Sequence, residues 1–104
     1  MTADAPLDRV LHAIADPTRR RILLVLKERG SEAKAADAKP EHGPCLCGGE
    51  IEERIRLSQP TISHHMSILT KAGLVEATKQ GQWRWYRRNE KAIRDIVKTL
   101  RGKL

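Results

Sequence analysis

Two thiols stand one residue apart, at Cys45 and Cys47, and no other cysteine occurs in the 104-residue chain. Thiolates are soft ligands and select soft, thiophilic ions. Such a pair suits trivalent arsenic or antimony, whose pyramidal shell takes two thiolates and a third ligand. Backbone conformation decides whether the pair can chelate. In a helix, residues i and i+2 point apart, whereas in extended chain they share a side. Pro44 precedes the pair and Gly48-Gly49 follow it. Both disfavour helix, so the sequence predicts an extended Cys-x-Cys segment. Zinc wants four ligands, and only His42 is an obvious local addition. Two other readings stay open, a pair of inert buried thiols and a redox switch. An i, i+2 disulfide is strained, so a redox switch favours an inter-subunit bond.

A second chemistry lies between Leu57 and Arg88. The spacing predicts a helix over 59–71 with Ile62, His65, Met66 and Leu69 on one face. Pro60, Ser63, His64, Ser67 and Lys71 fall on the other. The first set packs inward, and His65 at its edge reads as a hydrogen-bonded structural histidine. The second set is short and polar, and an α-helix bearing such a face fits the major groove of duplex DNA. The run that opens this helix, Ser58-Gln59-Pro60-Thr61, adds donors and acceptors; Gln can pair with the edge of adenine, and a helix start can hold a phosphate. A basic hairpin follows, with Lys79, Arg84, Arg87 and Arg88 placed to meet phosphate. Trp83 and Trp85 alternate to one strand face, expected to pack on the helices, while Tyr86 takes the other.

The elements that must hold these groups follow from periodicity and punctuation. Leu7, Val10, Leu11 and Ile14 repeat at helical spacing. Asp16-Pro17 reads as an N-cap with proline at the first helical position, opening a second helix that Gly30 ends. Residues 31–44, rich in Ala, Lys, Glu and Asp, read as a long mobile loop. Glu50 to Arg56 is a short helix with Ile51 and Ile55 at i, i+4, separated from the 59–71 helix by a break at Leu57-Ser58. Leu74–Thr78 and Gln82–Arg87 are strands about a turn bearing Gly81. Asn89 caps a last helix whose apolar stripe is Ile93, Ile96, Val97, Leu100 and Leu104. The expected fold is a single domain, mainly α with a small β-hairpin, in winged helix-turn-helix order.

Charge agrees with a polyanionic partner. Residues 1–70 hold ten Lys/Arg and ten Asp/Glu, so the whole +7 excess sits in residues 71–104. A one-sided basic field favours nucleic acid. No apolar run of about 18 residues exists, so no membrane span is expected. The first residues lack the pattern of a secretory signal, which gives a cytoplasmic reading with free thiols. No Ser-His-Asp set, glycine-rich phosphate loop or paired-carboxylate site supports an enzyme. A basic protein-interaction or nucleic-acid-binding module without a ligand remains as the rival class.

Three stretches together resemble the ArsR/SmtB family of bacterial repressors, over roughly residues 7–100. They are Asp16-Pro17-Thr18-Arg19-Arg20-Arg21-Ile22-Leu23, Leu57 through Met66, and the Gly73-Leu74-Val75…Gly81-Gln82-Trp83…Tyr86-Arg87 segment. The resemblance implies a homodimer paired through its first and last helices, which here means Leu7, Val10, Leu11 and Ile14 with Ile93, Ile96, Val97 and Leu100. It implies binding to double-stranded operator DNA, lost when a metal or metalloid binds. The arsenic-sensing branch carries a Cys-x-Cys pair at the start of the helix before the recognition helix. Here the pair is shifted: Cys47 takes the place of the first family cysteine, Gly49 that of the second, and Glu52 replaces a third. Arsenite or antimonite at Cys45 and Cys47 is therefore the expected inducer, with zinc, cadmium or oxidation as alternatives. The family's other sensing site uses His and carboxylates on the last helix. That helix has no histidine and only Glu90 and Asp95 as acids, so a zinc site is not expected there.

Overall fold

Asp16 interrupts the first helical run as its side chain turns back on the chain. Its Oδ2 accepts from the Arg19 amide at 3.0 Å, and Pro17 starts the next helix. The computed structural model describes residues 5–32 and 46–104. Helix α1 covers Ala5–Ile14 and α2 covers Pro17–Glu32. Helix α2 runs past Gly30, which was expected to end it; a glycine inside a helix costs only about 1 kcal/mol. The 31–44 loop lies outside the described residues from residue 33 onward.

Strand β1, Leu46–Cys47, leads straight into α3, Gly48–Ile55. Helix α4 is Gln59–Lys71, β2 is Val75–Gln80, β3 is Trp83–Arg88, and α5 is Glu90–Lys103. Gly48 and Gly49 were expected to keep the chain out of helix, yet they form the first turn of α3. Cys47 is extended at φ −81°, ψ 163°, and its amide donates to Glu50 Oε1 at 3.3 Å. That cap from Glu50 meets one of the unpaired amides of a helix start, where glycine is least costly.

Between α3 and α4 the chain turns at Arg56, which sits in the left-handed region at φ 63° while its amide donates to Glu52 O at 2.8 Å. A non-glycine residue there costs of order 1 kcal/mol, borne because it aims α4 across α3. Gly73, at φ +80°, ends α4 and turns the chain into the hairpin, and Gly81 at φ +62° makes the hairpin turn.

The sheet is larger than the expected hairpin. Its strand order is β1-β3-β2, antiparallel throughout, with Leu46 opposite Tyr86, Cys47 opposite Trp85, and Lys79 opposite Arg84. The core unites Val10, Ala13, Ile22, Leu26, Ile51, Ile55, Ile62, Met66, Leu69, Leu74, Val75 and Tyr86. The fully buried aromatic is Tyr86; Trp85 is half-buried, and Trp83, expected to pack on the helices, is 53% exposed near the hairpin tip. The alternation along β3 is as expected, but its inner face is set by Tyr86 and by Val75 of β2. Among the described residues, no helix is long and apolar enough to cross a membrane.

Candidate nucleic-acid interface

Helix α4 is anchored by Ile62, Met66 and Leu69, all at most 3% exposed. Opposite them Pro60, Ser63, His64, Ser67 and Lys71 are exposed, as the spacing predicted, and Gln59 and Thr61 are exposed with them. Its polar start is internally ordered. Ser58 Oγ and Thr61 Oγ1 lie 2.9 Å apart, and Gln59 Nε2 donates to Ser63 Oγ at 2.8 Å. These bonds hold a row of short donors and acceptors at the mouth of the helix.

The hairpin stands beside this row, and strand alternation divides its cations. Lys79 and Arg84 are opposite each other and share a sheet face with Tyr86, the face that packs toward α4. Arg84 lines two clefts that meet at Ser63. One, of about 440 Å³, is bounded by α3's Gly48 and Gly49, α4's Gln59 and Ile62, and Trp83. The other, of about 180 Å³, is bounded by Ser67, Thr70 and Lys71. Arg87 lies on the other sheet face and pairs with its cross-strand neighbour Glu76 at 3.3 Å. Arg88 was expected to meet phosphate, but its guanidinium is engaged within the protein. It bonds Glu90 at 2.8 and 3.2 Å and Leu23 O at 3.2 Å. The surface charge beside α4 therefore comes from Lys71, Lys79 and Arg84.

A helix buried along one face and lined with short polar groups on the other thus stands beside a basic hairpin. Residues 41–77 match the profile of bacterial regulatory proteins of the arsR family. An uncharacterized helix-turn-helix transcriptional regulator of Methanocaldococcus jannaschii is 38% identical over 91 residues, covering 88% of this chain and 86% of that protein. The chain belongs to the ArsR family of transcriptional regulators. Its relatives are DNA-binding regulators rather than enzymes. The transcriptional repressor SdpR of Bacillus subtilis is 33% identical over 91 residues, or 88% of this chain and 84% of the repressor. The arsenical resistance operon repressor of Staphylococcus aureus is 40% identical over 55 residues, 53% of each chain. A homodimeric winged helix-turn-helix DNA-binding domain from Mycobacterium bovis superposes with a TM-score of 0.67 at 23% identity, covering 94% of this chain and 78% of that one.

The thiol segment of this ArsR-family chain is partly described. Cys47 is buried and extended at the N-cap of α3, in line with the extended segment expected. Cys45 and His42 lie outside the described residues. Among the described residues no three His, Cys, Asp or Glu side chains gather as a metal site. On α5 both acids are engaged, Glu90 by Arg88 and Asp95 by Lys91 at 3.2 Å.

The surfaces of α1 and α5 divide as well. Val10 belongs to the core of its own protomer, and Ile14, Ile93 and Ile96 pack against that core. Leu11 and Val97 are exposed at 40% and 54%, and Leu7 and Leu100 are half-buried. A cleft of about 370 Å³ separates the two helices, lined by Leu7, Val10, Leu74 and Ile96 among others.

Sequence reasoning missed Arg19. Its guanidinium is buried and donates through Nε to Ala13 O at 2.7 Å, through Nη2 to His12 O at 3.2 Å, and through Nη1 to His65 Nδ1 at 3.2 Å. His65 is thus the hydrogen-bonded structural histidine expected of it. Burial holds its pKa below the ordinary 6.5, opposed by the Asp16 carboxylate and assisted by Arg19 and His64. The neighbouring arginines also cap helix ends: Arg20 reaches Ile14 O at 2.7 Å, and Arg21 reaches Ile55 O and Arg54 O at 3.4 Å. A run of arginines after a helix break was the available signal, since carbonyls at helix ends need donors.

Proposed function

We propose that this chain is a homodimeric repressor that reads operator DNA with α4 and leaves it when arsenite or antimonite binds Cys45 and Cys47. The observation that carries the DNA-reading half is the polar row of α4 flanked by Arg84. Ser58, Gln59, Pro60, Thr61, Ser63, His64, Ser67 and Lys71 meet the groove and its edges. Lys79 and Arg84 meet phosphate. Arg87 contributes little because Glu76 neutralises it. The dimer forms through α1 and α5, with Leu7, Leu11, Val97 and Leu100 facing the partner, and the protein works in the cytoplasm.

The inducer half rests on the place of Cys47. It lies in β1, hydrogen-bonded to the wing strand β3, and caps α3, which packs against α4. A ligand there is joined to both DNA-contacting elements. Cys47 is buried, so chelation must draw β1 away from β3, whereas DNA favours the closed sheet. That difference in affinity for two states is what coupling requires. The relative from Staphylococcus aureus, named an arsenical resistance operon repressor, supports the ligand class. Burial of the thiol disfavours direct attack by peroxide.

Titrating operator-bound protein with arsenite, antimonite, zinc, cadmium and peroxide tests the assignment. Release by the two metalloids is expected, and Cys45→Ser or Cys47→Ser should each abolish it while leaving DNA binding intact. A double serine variant that still releases DNA on arsenite excludes the thiol site. Release by peroxide alone replaces it with a redox switch, and release by zinc or cadmium alone replaces it with a divalent-metal site.

A further inference from the structure

The Arg19 guanidinium touches three elements. It closes the C-terminal carbonyls of α1 from its place on α2, and its third arm holds His65 in the middle of α4. Arginine has no acceptor and does not deprotonate, so His65 Nδ1 must accept. That fixes a neutral imidazole carrying its hydrogen on Nε2. A protonated ring would set an N–H against an N–H at 3.2 Å, and one cation against another. The titratable and charged groups around the ring are Asp16 at the start of α2, Arg19 on α2, and His64 on α4. Asp16 is committed to the Arg19 amide, so it steadies the same arginine from the backbone side.

We propose that Arg19 is a positioning residue for DNA reading, and that it fixes α4 only while His65 is neutral, so that protonating His65 weakens operator binding. Met66 and Leu69 hold the inner face of α4 by apolar contact, which resists sliding only weakly. The Arg19–His65 bond is directional and sets the rotation of the helix. Ser63 and His64, two and one residues before His65, present their side chains according to that rotation. The thiol segment takes no part, so the device works whether or not a metalloid is sensed.

The test measures operator affinity by fluorescence anisotropy from about pH 8 to about pH 5.5 at constant ionic strength, with circular dichroism confirming that the protein stays folded. Wild type should lose about tenfold in affinity across this range, the scale of one hydrogen bond to a charged group. His65→Asn keeps an acceptor near the Nδ1 position and cannot titrate. It should bind like wild type at high pH and lose much less on acidification. His64 is kept in both proteins, so the comparison varies only the side chain at position 65. Arg19→Lys, which cannot span three acceptors, should bind more weakly at every pH with a flattened profile. The ¹⁵N shifts of His65 in unaltered protein should report a neutral Nε2–H ring at about pH 7.5. A protonated or Nδ1–H ring there, or a His65→Asn profile as steep as wild type, overturns the proposal.

Discussion

Cys47 lies directly opposite Trp85 in the register of the wing sheet. One residue further back along β3 is Arg84, the cation that faces Ser63 across two clefts. The Cys47 thiol and the Arg84 guanidinium are therefore carried by adjacent strands of one small sheet. Whatever displaces β1 changes the support of the wing.

This arrangement makes Trp85 a reporter of the thiol. In a Trp83→Phe protein, arsenite should change the emission of Trp85 as β1 leaves β3. The same titration on Cys47→Ser should leave the emission flat. An unchanged spectrum while DNA is released would place the conformational change elsewhere.

Base reading is expected to reside at the start of α4. Replacing Ser63 and His64 by alanine should weaken operator binding by about 1–3 kcal/mol for each lost base contact, with folding unchanged. Gln59→Ala should share in that loss, since Gln59 orders Ser63 at 2.8 Å. Footprinting of the folded double variant checks this; an unaltered footprint would remove α4 from the reading role.

The two wing arginines should behave differently. Arg84→Ala should lower affinity for operator and random duplex alike and reduce the salt slope by about 0.9. Arg87→Ala should change little, because Glu76 already holds that charge at 3.3 Å. Equal losses for both variants would contradict the division of the sheet faces.

Stability should fall with acid in two separate windows. The His65 pKa is held below 6.5 by burial, so the unfolded chain takes up that proton first. Its contribution is complete above about pH 6.5 and declines as pH drops toward the folded-state value. The Asp16 pKa is held below 3.8, chiefly by the Arg19 amide, so its contribution is lost as pH falls below that range. Urea midpoints against pH should show both declines, with His65→Asn removing the upper one and Asp16→Asn the lower.

Dimerisation should respond to the exposed apolar residues and not to the buried one. Val97→Asp or Leu11→Asp should give a monomer at micromolar concentration by sedimentation, with the fold retained. Val10→Ala should instead act as a core truncation, costing about 1–3 kcal/mol of stability. Val10 is 8% exposed, against 54% for Val97.

The two faces of α4 were legible in the sequence because helical periodicity separates Ile62, Met66 and Leu69 from Ser63, His64 and Ser67. Caps were legible too: Asn89 Oδ1 accepts from Ala92 N at 3.1 Å, opening α5 as expected. What escaped were features set by distant partners. Strand β1 is two residues long, and its pairing with Tyr86 and Trp85 has no local signature. The tryptophans were expected to pack on the helices from their shared strand face, but the core lies beneath the other face of β3, and Tyr86 covers it. Arg87 and Arg88 looked alike as basic residues. Glu76 and Glu90 distinguish them, one across the sheet and one on the following helix.

The pairing of Leu46 with Tyr86 also orders the folding of the domain. Strands β2 and β3 are joined by a two-residue turn and can meet within microseconds. Strand β1 closes a loop of about 40 residues that contains α3, α4 and β2, a contact of high sequence separation. It should join last, after α4 has docked on α3, and come away first when the domain loosens. Amide exchange should then find Leu46, opposite Tyr86, among the first sheet amides to exchange, well before those of the β2–β3 ladder.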